Sequence, residues 1–171
     1  MEDPISADLL LPEEYDRLIR LLDRTKQEQI ALVVILLFRT GLRLTEAVGL
    51  RCGDFASAGD RLELFVEKNE ERVLKTPGSR RIIPLDILLE SEELARLQRF
   101  LKAQRTKTIE GRDGWLFGTA DSATAPNPAF ASSAINDALK RASARELEHG
   151  HLRHSFCLLY TSDAADEEDS V

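Results

Sequence analysis

The sequence predicts an α+β protein, mainly helical, with a small antiparallel β-sheet inserted between helices. Two observations carry this. Apolar residues recur at helical spacing over most of the chain, whereas period-two alternation is confined to residues 61–85. A length of 171 residues, 43% of them hydrophobic and 31% charged, favours one domain with a core of its own.

The elements follow in order. Leu11-Pro12-Glu13-Glu14 reads as a helix start, with proline in the first turn and two acids near the positive end of the dipole. Tyr15, Leu18, Ile19 and Leu22 then form an i, i+3, i+4, i+7 stripe. A second helix, about Glu28 to Arg39, is apolar nearly all round and is predicted to be buried. Gly41 ends it as a C′ residue, and a short helix follows through Glu46, Ala47 and Leu50. Arg61 to Glu67 alternates as a half-buried strand. Arg72 to Lys75 and Arg80 to Leu85 are two further strands, joined by a Thr76-Pro77-Gly78-Ser79 turn. A helix is predicted from Ser91 to Gln104, then a short buried segment, Trp115-Leu116-Phe117. A Pro/Ala/Ser-rich loop at about 119–128 leads to a helix from Ala129 to Arg145, and a last helix starts near His151.

Composition narrows the function classes. Cys52 and Cys157 form no disulfide framework and no CxxC pair, which favours a reducing compartment, the cytoplasm. The longest apolar run, Ile30 to Phe38, is too short to span a bilayer, and the acidic start MEDPISADLL lacks the basic segment of a secretion signal. The net charge of −7 argues against a uniformly basic nucleic-acid binder. Five of those charges come from acids in residues 157–171, a stretch with no Lys or Arg, so a local basic face remains possible on the rest.

Three stretches carry side chains suited to phosphate chemistry. The first is TGLRLTEAVGL, Thr40 to Leu50. Arg43 stands at a helix junction, and Glu46, one turn on, is placed to orient it. An arginine's planar fork meets two phosphate oxygens at once. The second is VLKTPGSRRIIPL, Val73 to Leu85, a basic hairpin carrying Lys75. The third is GHLRHSF, Gly150 to Phe156, with Arg153 between His151 and His154. Each taken singly has a plainer reading: a solvated Arg–Glu pair, an exposed basic hairpin, a helix end with surface charge.

Their order and spacing together resemble the arginine box, lysine hairpin and H-x-L-R-H box of the tyrosine recombinases, the phage integrase family, over residues 12–156. The resemblance implies site-specific DNA recombination. A tyrosine attacks the scissile phosphodiester and forms a 3′-phosphotyrosyl link, so the bond energy is conserved without ATP, metal or cofactor. Arg43 and Arg153 would neutralise the charge that builds on the phosphorane. Lys75 would protonate the departing 5′ oxygen as general acid, with Lys68 as the alternative. Glu46 and His154 would support the site. One position departs from the family pattern: the first histidine is expected three residues before Arg153, where Gly150 stands between His149 and His151. His151 is assigned the role, with His149 as the alternative. The implied partner is double-stranded DNA, on which family members act as tetramers, with no membrane involved.

The tail does not fit that pattern. CLLYTSDAADE, Cys157 to Glu167, resembles letter for letter a translation of the transposase adapter used to prepare sequencing libraries. On that reading the catalytic domain occupies 1–156, is cut in mid-helix, and is followed by an artefactual or disordered tail at 157–171. Tyr160 is therefore rejected as the nucleophile, and the chain alone is expected to be inactive. Tyr15, outside every matched motif, does not substitute. Two competing readings are a non-catalytic helix-turn-helix DNA-binding protein, with Thr40 to Leu50 as its recognition element, and a metal site at His149, His151, His154 and Cys157. The latter has a spacing that matches no known zinc pattern.

Overall fold

The structure, a computed structural model, describes residues 10–66, 81–106, 114–118, 127–143 and 147–156, excluding the side chains of His154 and Phe156. Its elements run α1 (Pro12–Arg24), α2 (Glu28–Thr40), α3 (Leu44–Val48), a 3-10 turn (Cys52–Asp54), β1 (Phe55–Ala58), β2 (Arg61–Val66), β3 (Arg81–Pro84), α4 (Leu85–Leu88), α5 (Ser91–Thr106), α6 (Pro128–Ala142) and α7 (Gly150–Phe156). This is the α+β arrangement the sequence predicts. The chain divides into two compact units, Met1–Leu44 with Ala129–Val171, and Thr45–Pro128.

The first unit is helical. Pro12 occupies the first turn of α1, and the Leu11 N–H donates to Glu14 Oε1 at 3.0 Å, so the side chain satisfies a donor the helix leaves open. Glu14 is itself buried, and its other oxygen accepts the Ser143 hydroxyl at 2.6 Å. That pair ties the start of α1 to the chain leaving α6. The stripe faces inward as expected: Tyr15, Leu18 and Leu22 are buried, and Ile19 is half-buried. A turn with Lys26 at φ 58 reverses the chain into α2. In α2, every residue from Ile30 to Phe38 is buried. Nothing in this helix faces water for long, so it is the axis around which the unit packs. Ala131, Ile135, Ala138 and Leu139 of α6 and Leu152 of α7 complete this core.

The second unit is built on a sheet of order β1-β2-β3, antiparallel throughout. Leu62, Leu64 and Val66 alternate inward along β2 and are fully buried, as strand periodicity requires. Ala58 pairs with Arg61 across a two-residue turn, in which Gly59 takes φ 62, a backbone conformation open to glycine. The strand expected over Arg80 to Leu85 runs Arg81–Pro84, because Leu85 instead opens the short helix α4. Asp86 of α4 accepts the Leu62 N–H at 3.1 Å, which fixes that turn against β2. The strand expected at Arg72 to Lys75 and the Thr76–Ser79 turn lie outside the described residues. The chain at Trp115 pairs back onto Arg51: Cys52 N–H donates to the Gly114 carbonyl and Leu116 N–H to that of Leu50, each at 2.9 Å. Leu116 and Phe117 are buried as expected, whereas Trp115 is half-exposed beneath the Arg51 guanidinium, 4.3 Å from the ring centre. Among the described residues, no helix is long and apolar enough to cross a membrane.

Candidate active site

The segment Thr40-Gly41-Leu42-Arg43 is shaped by four different local requirements. The Thr40 hydroxyl donates to the Leu36 carbonyl and accepts the Leu42 N–H, closing the last turn of α2. Gly41 sits at φ 74, the left-handed conformation that ends a helix, and its N–H donates to the Leu37 carbonyl at 3.2 Å. Leu42 is fully buried and plugs the core. Arg43, next along, is half-buried, and α3 begins at Leu44.

Arg153 meets this segment from the far end of the sequence. It lies on α7, is half-buried, and its Nε donates to the Gly41 carbonyl at 2.9 Å across 112 residues of chain. One of its five N–H donors is thus fixed. Among the described residues, the four on its terminal nitrogens meet no partner. The arginine is therefore held by its stem side, two residues from Arg43, with its fork open.

Gly41 therefore has two duties, a left-handed turn and a carbonyl placed for Arg153. Gly41→Ala is expected to cost about 1–2 kcal/mol through the left-handed backbone alone. A urea titration of the two proteins measures it, and an unchanged midpoint would mean that the turn relaxes without cost.

The other expected site residues are distributed as follows. Glu46 is buried, and its carboxylate pairs with Arg81 of β3 at 3.4 Å. Arg81 was read only as part of the basic hairpin; nothing local in the sequence marks it as the partner of Glu46, 35 residues away. His151 Nδ1 accepts the Glu148 N–H at 2.9 Å, just ahead of the helix start. The same Nδ1 also lies 3.3 Å from the Glu148 carbonyl. His149 is half-buried, its N–H donating to Asn136 Oδ1 at 2.7 Å, with its ring near the hydroxyl of Ser132 at 3.3 Å. The two histidines therefore have different surroundings: His149 is fastened to α6, and His151 caps its own helix. Gly150, between them, is exposed, and a Cβ built there meets nothing within 4 Å. The His154 side chain lies outside the described residues, as do Lys75, Lys68, Cys157 and Tyr160. Tyr15 is stacked on Phe38, ring centres 4.3 Å apart, with Arg39 over its face, and is only 4% exposed. It is a core residue. Among the described residues, no group of three or more His, Cys, Asp or Glu is gathered as metal ligands.

A family model described as the phage integrase family matches residues 8–168. Similar folds occur in solved structures of the XerH site-specific recombinase. Its pre-cleavage complex with difH substrate is 19% identical with a TM-score of 0.63, covering 90% of this chain and 43% of that one. Its post-cleavage complex with palindromic difH is 19% identical with a TM-score of 0.64, covering 92% and 43%. The XerA recombinase is 18% identical with a TM-score of 0.64, covering 91% and 50%. The chain thus spans about half the length of these proteins or less. No curated protein matches it.

Proposed function

The chain belongs to the phage integrase family, and on that premise we propose that it forms the phosphate-gripping part of a site-specific DNA recombinase acting in the cytoplasm. The single observation that carries this is the hydrogen bond from Arg153 to the Gly41 carbonyl. It brings two arginine-bearing segments, 112 residues apart in the chain, to one place. In this reading Arg43 and Arg153 neutralise the charge developing on the scissile phosphate, an interaction that strengthens as the oxygens gain charge. Lys75 is the general acid for the 5′ oxygen. His151 donates to a phosphate oxygen, and His154 supports the helix. Glu46 acts through Arg81 as well as through the helix it shares with the arginine box. Duplex DNA is the partner, a reading supported by the similar XerH recombinase, which was solved bound to its difH substrate, and recombination proceeds in a tetramer.

The 171-residue chain alone binds DNA without cutting it. Of its two tyrosines, Tyr15 is enclosed in the core, and Tyr160 belongs to the CLLYTSDAADE stretch. The test is incubation with a nicked duplex, followed by denaturing gel electrophoresis and, separately, a binding titration in salt. Binding that weakens linearly in log salt, with no protein–DNA adduct on the gel, is the expected result. An adduct that disappears in Tyr160→Phe would overturn the assignment of the nucleophile. Absence of any salt-dependent binding would overturn DNA as the partner.

A further inference from the structure

Away from Gly41 and Arg153, the first unit carries a second concentration of positive charge. A cleft of about 530 Å³ opens between the C-terminal half of α1 and the end of α6. Arg17, Arg20 and Arg24 line it from α1 and Arg141 from α6, with Asp23 as the one acid. The three α1 arginines fall at i, i+3 and i+7, a single face of the helix, opposite the buried Leu18 and Leu22. All four arginines are exposed, and none makes an ion pair or hydrogen bond among the described residues.

Arg24 and Arg141 have an ordinary explanation, since a cation in the last turn offsets the negative end of a helix. Arg17 and Arg20 lie beyond the reach of that dipole, which fades within one turn; Glu13 and Asp16 stand four residues before them, and among the described residues neither acid forms an ion pair with either arginine. Four guanidinium groups around one concavity repel each other, and Asp23 is the one carboxylate in its lining. An anion with several oxygens relieves that repulsion, and arginine's fork is the side chain that meets such oxygens in pairs. The cleft is long as well as basic: seven residues of helix from Arg17 to Arg24 span about 10 Å. That is the dimension of a row of phosphates, since duplex DNA carries one charge per about 1.7 Å of its axis.

We propose that the Arg17, Arg20, Arg24 and Arg141 cleft is a non-catalytic contact for the phosphate backbone of duplex DNA, beyond the phosphate that Arg43 and Arg153 hold. The inference rests on DNA being the partner of this chain. Its location suits it. Tyr15, on α1, stacks on Phe38, three residues before Gly41. Arg24 lies nine residues further along α1, about 13 Å from that contact. A duplex engaged at Arg153 presents several further phosphates over such a distance.

The experiment is a fluorescence-anisotropy titration of a short nicked duplex across a range of KCl concentrations. It compares the chain, the quadruple variant Arg17→Gln, Arg20→Gln, Arg24→Gln, Arg141→Gln, and the same four positions changed to Lys. A control variant, Arg61→Gln, Arg99→Gln, Lys102→Gln, removes exposed charge from the second unit. Each phosphate contact contributes about 0.9 to the slope of log affinity against log salt. The glutamine variant is expected to lower the slope by about 2–4, while the lysine and control variants keep it. Circular dichroism melts confirm that the variants are folded. If the parent chain shows a salt slope and the glutamine variant matches it, the cleft proposal is overturned while DNA as partner stands. If the parent chain shows no salt-dependent binding, the partner assignment fails first and takes the cleft with it. Calorimetry with tripolyphosphate separates a third outcome. Binding of that anion, lost in the glutamine variant with no change in duplex slope, would make the cleft a site for a small free anion and overturn the proposal.

Discussion

Replacing Arg153 by alanine is expected to lower the affinity of the chain for a nicked duplex roughly ten- to hundredfold, the value of a charge-assisted hydrogen-bonding group lost from a phosphate. The effect exceeds that of an ordinary surface charge because the guanidinium is prepositioned. Its Nε is already committed to the Gly41 carbonyl, so little side-chain freedom remains to be lost when the anion arrives. Arg153→Lys keeps the charge but cannot make the same bond to Gly41 and present a fork at the same time. It should recover only part of the loss. Stability should fall far less than affinity, by about 0.5–1.5 kcal/mol for the missing bond. An alanine variant that binds as tightly as the parent would remove Arg153 from the site.

The second large effect is on folding alone. Leu32 is fully buried within α2, about two and a half turns before Gly41. Leu32→Ala removes three carbons from a closely packed centre and is expected to cost about 2–5 kcal/mol. Against a typical total of about 5–15 kcal/mol, that is a large share. With urea slopes of about 1–3 kcal/mol per molar, the midpoint should drop by about 1 M or more. The two variants form a crossed pair: Arg153→Ala loses affinity while mostly keeping its melt, and Leu32→Ala loses its melt while the folded fraction keeps its affinity. A Leu32→Ala midpoint no lower than that of Gly41→Ala would show that α2 is not the packing centre of its unit.

Why some of this was legible in the sequence and some was not follows from the range of each interaction. The arginine box is read locally. Gly41 is the residue a left-handed helix end calls for, and the uninterrupted apolar run before it admits only a buried helix. Pro12 and the two following acids likewise mark the start of α1 within a few residues. Glu14 shows the limit. Its bond to Leu11 belongs to a local pattern, but its bond to Ser143 spans 129 residues and leaves no trace at either position. The Glu46–Arg81 pair is hidden for the same reason. Strand β1, Phe55-Ala-Ser-Ala58, escaped because three small residues carry no strand propensity. Only Phe55 faces inward, and the strand is recruited by pairing with β2. Helix α4 escaped because Ile82-Ile83-Pro84-Leu85 reads as continuous strand until Asp86 takes the Leu62 amide.

The buried hydroxyl of Ser155 accepts the Leu10 N–H at 2.8 Å and donates to the His151 carbonyl at 2.7 Å, joining positions 145 residues apart. Together with the Arg153 bond to Gly41, it sets a schedule for biosynthesis. At a few to about twenty residues per second, the ribosome releases α1 and α2 many seconds before α7. Throughout that interval the Gly41 carbonyl has no Arg153 guanidinium to accept from, and the Leu10 N–H has no Ser155 hydroxyl to donate to. The two ends of the first unit therefore close on each other only when the last helix docks.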